Sequence, residues 1–201
     1  MALGIAMFAL AAPAADAAVA LSWTGGTFLP SVHQQTVGWS FTADQPASVT
    51  ALDWYDPAGD NTAQHDVTIW TGDGAQVAAA CVGLGCSGSS YSAADGYWST
   101  PLKLSLAAGS YVIGGYVGIG DPFAYNTATR MTAPNITYGT GLYTLGASTA
   151  MPTVACCGSI VGPNLEIAGV PEPASWALML VGFASLGAAV RGRRQFLPVA
   201  G

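Results

Sequence analysis

The sequence predicts an all-β protein: a two-sheet, jelly-roll-like β-sandwich, with a signal helix before it and a transmembrane helix after it. Three observations predict this. Short runs rich in β-branched and aromatic residues recur along the chain, separated by turns carrying Gly, Asn and Asp. No amphipathic helical pattern longer than two turns interrupts them. Long apolar stretches lie near the two ends.

The 201 residues fit one domain with targeting ends. The expected division is a signal peptide over 1–17, a β-sandwich domain over 18–169, a sorting and anchor segment over 170–194 and a cytoplasmic tail over 195–201. The N-terminal segment is apolar from Leu3 to Ala12 and is broken by Pro13. Ala15-Asp16-Ala17 then supplies the small residues of a signal-cleavage site. Its n-region carries no Lys or Arg, so either the α-amino group supplies the positive charge or, the favoured reading, the true start lies upstream of Met1. Export of this kind implies a Sec-type machinery as partner.

Strands are expected over 37–42, 48–55, 67–71 and 76–82, the third ended by Gly72-Asp73-Gly74. Leu102, Leu104 and Leu106 alternate with Lys103 and Ser105, the pattern of a half-buried strand. Ala107-Ala108-Gly109-Ser110 turns the chain into a strand over 111–117, and strands over 136–145 and 160–167 follow. Strands at this spacing with glycine-rich turns suit two packed sheets.

Composition excludes some function classes. Charged residues make up 8% of the chain, and hydrophobic ones 51%, which is too apolar for disorder. Between residues 18 and 169, nine acidic residues face only Lys103 and Arg130. Nucleic acid is therefore no partner, because phosphate binding needs clustered basic side chains.

Four cysteines suit an oxidising compartment. Cys81 and Cys86 bracket a short flexible loop, and Cys156 and Cys157 are adjacent. Local pairs and crossed pairs that tie the two regions together are both open. A zinc site would want paired Cys-x-x-Cys spacing, which is absent.

Three clusters are candidates for binding. Asp56, Asp60, Asn61 and Asp66, with Asp53 nearby, form the densest polar stretch. Calcium takes six to eight oxygens from such groups. The spacing does not match an EF-hand, and a solvated turn has the same composition. Tyr91, Tyr97, Trp98 and Tyr125 lie in loop-rich stretches and are candidates for stacking on sugar rings, whereas Trp54 and Trp70 lie in strong strands and read as core. His65-Asp66 resembles a base with its orienting acid, but neighbours in a strand point to opposite faces. No Gly-x-Ser-x-Gly elbow is present, and Glu166 has no evident carboxylate partner, so no catalytic residue is nominated and the chain is not expected to be an enzyme.

The C-terminal stretch has three parts in fixed order. Val170 leads into the turn Pro171-Glu172-Pro173, residues 174–190 run without charge, and Arg191, Arg193 and Arg194 follow. At ~1.5 Å per residue the apolar run makes a helix of roughly 26 Å, slightly under a bilayer's hydrocarbon core of about 30 Å. The prolines set its start, and the arginines favour the cytoplasmic side, placing the preceding domain outside. These residues resemble the PEP-CTERM sorting signal of Gram-negative bacteria, a tail also labelled an ice-binding protein C-terminal segment. The resemblance implies an exosortase as processing partner. It makes residues 170–173 the recognition residues, and it associates the protein with exopolysaccharide and biofilm. An ice-binding role would ask for a flat Thr-rich face, and regular Thr-x-Thr repeats are absent. The stretches VGWSFTADQPASVTALDWYDPAGDNTAQHDVTIWTGDGAQVAAACV, LSLAAGSYVIGGYVG and VGPNLEI resemble an uncharacterised β-sandwich domain. That domain recurs in exported bacterial proteins, often immediately before such a tail.

The expectation is thus an exported cell-envelope or matrix protein with a structural or adhesive sandwich. It is anchored in the inner membrane with its domain in the periplasm, or released to the surface after processing. The alternatives are a carbohydrate-binding module, with or without calcium, and more remotely a polysaccharide-active enzyme.

Overall fold

The computed structural model describes residues 17–59, 63–169 and 179–186. Residues Ala17–Ala168 form one compact unit. Its first strands are β1 (Ala18–Val19), β2 (Leu21–Thr24), β3 (Thr27–Pro30) and β4 (Gln35–Ala43). Next come β5 (Ala47–Tyr55), β6 (Gln64–Thr71), β7 (Gln76–Gly83) and β8 (Ser90–Ser92). The chain continues through β9 (Tyr97–Leu106), β10 (Gly109–Val117), β11 (Pro122–Tyr125) and β12 (Thr129–Thr132). It ends in β13 (Ile136–Leu145), β14 (Val154–Ala155), β15 (Ile160–Val161) and β16 (Pro163–Ile167).

All pairings are antiparallel. One sheet runs β1-β16-β5-β9-β8 and the other β14-β13-β4-β10-β6-β7, with β15-β11-β3 and β12-β2 as small ribbons. The two large sheets share one core. Leu52, Trp54 and Leu165 from the first cluster with Val37, Trp39, Phe41, Val67, Ile69 and Ile113 from the second. Two side chains bind the sheets directly. Trp39 Nε1 on β4 donates to the Pro163 carbonyl on β16 at 2.9 Å, and the Trp54 ring on β5 stacks on His65 of β6 at 3.7 Å. Burying rings of this size contributes strongly to stability.

Each strand expected from the sequence lies within or across an observed one, with two differences. The expected strand over 160–167 is divided at Gly162, so that β15 and β16 belong to different sheets. At the division the backbone passes close over Trp54, whose ring would lie 2.9 Å from a Cβ at Gly162. The second difference is at β9, which begins at Tyr97, five residues before the Leu alternation that announces it.

The described part of the C-terminal segment is a helix over 179–186, with Met179, Leu180, Val181, Phe183 and Leu186 exposed. Among the described residues no helix is long and apolar enough to cross a membrane. The rest of the expected span over 174–190, the sorting residues Val170, Pro171, Glu172 and Pro173, the basic residues Arg191, Arg193 and Arg194, and Ala15 of the cleavage site lie outside the described residues. Ala17 is exposed at the start of the compact unit.

Candidate functional site

The four aromatic candidates do not form one platform. All of them lie on strands rather than in loops, because cross-strand pairing reaches further than the local sequence pattern shows. Tyr97 is a correction. It is buried among Trp23, Tyr55 and Asn164, with Trp23 4.9 Å from Tyr55 and Asn164 Nδ2 donating to the Tyr97 hydroxyl at 3.0 Å. Burial raises the pKa of that hydroxyl, so it stays protonated. Tyr91 and Trp98 face each other across β8 and β9 at 5.4 Å. Tyr91 is committed to packing over the Pro57–Gly59 turn, where its ring lies 2.5 Å from a Cβ built at Gly59. Trp98 Nε1 donates to Asp56 Oδ2 at 3.2 Å.

Tyr125 is placed differently. With Phe123, Tyr143, Gln35, Ile160 and the Cys156–Cys157 disulfide it lines a recess of about 190 Å³. The walls are fixed by Ser159, whose hydroxyl lies 2.7 Å from both the amide and the hydroxyl of Thr127. Both disulfides are local, Cys81–Cys86 and Cys156–Cys157, which resolves the choice the spacing leaves open.

The acidic stretch is not an open ligand set in its described part. Asp56 is turned inward, nearly fully buried, and accepts from Trp98 and the Gly59 amide. Asp66 is exposed on β6, while Asp60 and Asn61 lie outside the described residues. No group of three His, Cys, Asp or Glu side chains among the described residues is placed to hold a metal ion.

His65 and Asp66 point to opposite faces of β6, as strand geometry requires. His65 is buried against Trp54, with Nδ1 3.0 Å from the Tyr116 carbonyl and 3.6 Å from Asp121. Burial lowers its pKa, so the ring is neutral and Nδ1–H donates to that carbonyl.

Asp53 is a residue that sequence reasoning did not separate from its loop. It is fully buried on β5, between Asn164 of β16 and Ser99 of β9, and neither carboxyl oxygen has a hydrogen-bond partner. Burial, with the Glu166 charge adding to it and the Ser99 hydroxyl opposing, pushes its pKa up to about 7. Asn164 closes the ribbon of β2 over this region. It accepts from the Leu21 amide at 3.2 Å and donates to the Leu21 carbonyl at 2.6 Å. The alternation of polar and apolar residues within β5 is the signal that could have flagged Asp53.

Comparison with known proteins bears on both parts of the chain. No curated protein and no solved structure matches it. The model of a PEP-CTERM protein-sorting motif matches residues 169–194, which marks an exported chain processed by an exosortase. A second family model matches residues 27–159, from β3 to the turn before β15. That match takes in most of both large sheets, and the chain belongs to the family described as a domain of unknown function, DUF4082.

Proposed function

We propose that this chain delivers a structural or adhesive β-domain to the outside of the cell. The observation that carries the reading is the sorting motif joined directly to a domain stapled by two disulfides. In this reading the domain is a jelly-roll-like sandwich. Order β1-β16-β5-β9 packs over β4-β10-β6-β7, and β13 is added beside β4. A Sec-type machinery exports the chain, residues 174–190 hold it in the inner membrane with the arginines in the cytoplasm, and the exosortase acts near Pro171-Glu172-Pro173. The domain then serves the envelope or an exopolysaccharide matrix without catalysis.

The test is the intact mass of the protein recovered from its host's envelope and medium. Loss of residues 1–17, a C-terminal cut near 171–173 and the four hydrogens missing for two disulfides are expected. A full-length chain with free thiols in the cytosol sinks the proposal.

One observation favours carbohydrate binding as a second reading. The recess around Tyr125 combines three half-buried aromatic rings with the Gln35 amide, and flat apolar faces beside a polar group suit a sugar ring. Retention on immobilised matrix glycan, with and without calcium, tests it. Absence of retention under both conditions removes this reading and leaves the first in place.

A further inference from the structure

The outer face of the six-stranded sheet carries a groove distinct from the aromatic recess. Along β6, His65, Val67 and Ile69 go into the core, so Asp66, Thr68 and Trp70 share the other face. Opposite Thr68 the edge strand β7 presents Ala79, whose methyl group leaves the floor low. On the far side, segment 146–153 folds back over the sheet. Met151 packs with Trp70, Val112 and Leu142, and Pro152 covers Gly114, where a Cβ would come within 3.0 Å. The Ala150 amide pins this wall by donating to Thr36 Oγ1 at 3.0 Å. The resulting groove has a volume of about 320 Å³ and is lined by Asp66, Thr68, Trp70, Gln76 and Thr149.

One hydroxyl in this lining is unsatisfied. Thr149 Oγ1 is sealed from solvent with no hydrogen-bond partner. Thr68 beside it is 3% exposed and lines the floor. A buried hydroxyl without a partner is costly, and one in the wall of an open groove beside an indole points to a ligand that supplies the missing bond.

We propose that this groove binds a neutral glycan segment. The carboxylate of Asp66, the amide of Gln76 and the two threonine hydroxyls offer the mixed donors and acceptors that vicinal sugar hydroxyls need, with Trp70 as the apolar side. From Asp66 to Trp70 the face runs roughly 13 Å along the strand, enough for an oligosaccharide rather than a single ring. No basic side chain lines the groove, and Asp66 repels an anionic chain. One carboxylate is also too few for a bare cation. The proposal rests on the carbohydrate reading of the domain but assigns the ligand to a different surface.

The test uses the full chain in detergent, titrated with neutral glucan, galactan and mannan oligosaccharides and with polygalacturonate. Binding of at least one neutral series and none of polygalacturonate is expected. Gln76→Ala weakens binding about tenfold, and Thr149→Val weakens it about three- to tenfold. In the free protein, Thr149→Val raises Tm, because it removes an unpaired hydroxyl. A structural role for Thr149 would leave affinity unmoved. Lys103→Ala, on β9 and outside both surfaces, is the control and leaves affinity unchanged, while Tyr125→Ala reports on the recess. Loss of binding in Tyr125→Ala with no effect of the groove variants overturns this proposal and spares the carbohydrate reading. Tighter binding of polygalacturonate overturns the neutral class, and no binding of any glycan overturns both.

Discussion

Asp53 is held without a hydrogen-bond partner in the interior of a stable sheet, and its proton makes that tolerable. In the unfolded chain the carboxyl titrates at 3.8, and in the fold at about 7. Between those values the folded state keeps a proton that the unfolded state has released. Stability from this group is therefore complete below pH 4, falls as pH rises towards 7 and is flat above it. Three units correspond to a loss of about 4 kcal/mol as an upper order of magnitude. The Glu166 charge adds to the rise at Asp53, and Asp53 in turn raises the pKa of the Tyr97 hydroxyl. Asp53→Asn is expected to abolish most of this slope and to stabilise the protein at pH 8 more than at pH 5. Urea unfolding of both proteins at the two pH values checks this, and parallel pH slopes would refute it. A second residue-scale expectation concerns Gly115. A Cβ there would meet the Trp54 ring at 2.5 Å, so Gly115→Ala is expected to cost roughly 1–3 kcal/mol by the same measurement. The sequence around Gly114 and Gly115 reads as a strand, and the observed β10 agrees. Why a strand would carry two adjacent glycines was not legible, because the reasons are distant in the chain: Trp54 crowds Gly115, and Pro152 with Thr36 crowds Gly114.

At the scale of elements, the strands with strong internal patterning were readable and the short connecting ones were not. β4, β5, β6, β7, β10 and β13 each carry enough β-branched and aromatic residues to stand out. β2, β3, β11 and β12 pair only as two- or three-stranded ribbons, and β2 with β12, like β3 with β11, joins segments about ninety to 110 residues apart in the chain. The same dependence explains the aromatic candidates. Tyr91, Tyr97 and Trp98 look loop-borne until β8 and β9 pair, which buries Tyr97 and sets Tyr91 against Trp98. Cysteine spacing did not decide the disulfides either. The turn after β7, held by the Gly83 amide donating to Ser89 Oγ at 3.0 Å, brings Cys86 back to Cys81. Loops this short remove little entropy from the unfolded chain. Cys81→Ser with Cys86→Ser is expected to cost about 2 kcal/mol, and Cys156→Ser with Cys157→Ser less. Peptide mapping without reduction gives two local links if the pairing is right. A peptide joining the 81–86 region to the 156–157 region would show it to be wrong.

Across the whole domain, the two ends of the β-unit are tied to each other. β1 pairs with β16, Ala18 opposite Ile167, and the Ala20 amide donates to the Leu165 carbonyl at 2.7 Å. Leu21 and Ala20 sit fully buried in the common core, and Asn164 bonds both backbone groups of Leu21. The residues after Ala17 are thus structural from the first strand onward. A chain spanning residues 18–169 keeps every one of these contacts and is expected to fold cooperatively, with a Tm within a few degrees of that of the full protein. A chain starting at residue 25 loses β1 and β2, leaves Asn164 with unmet bonds in the interior and uncovers Asp53 and Tyr97. Each buried group left unpaired costs about 1–3 kcal/mol, so this shorter chain is expected to be unfolded or molten at 37 °C. Near-UV circular dichroism separates the two cases through the Trp23, Tyr55 and Tyr97 cluster, whose fixed ring geometry depends on β2. A native spectrum from the chain starting at residue 25 would mean that the β2 ribbon is a dispensable cover. The position of signal cleavage would then carry no structural constraint.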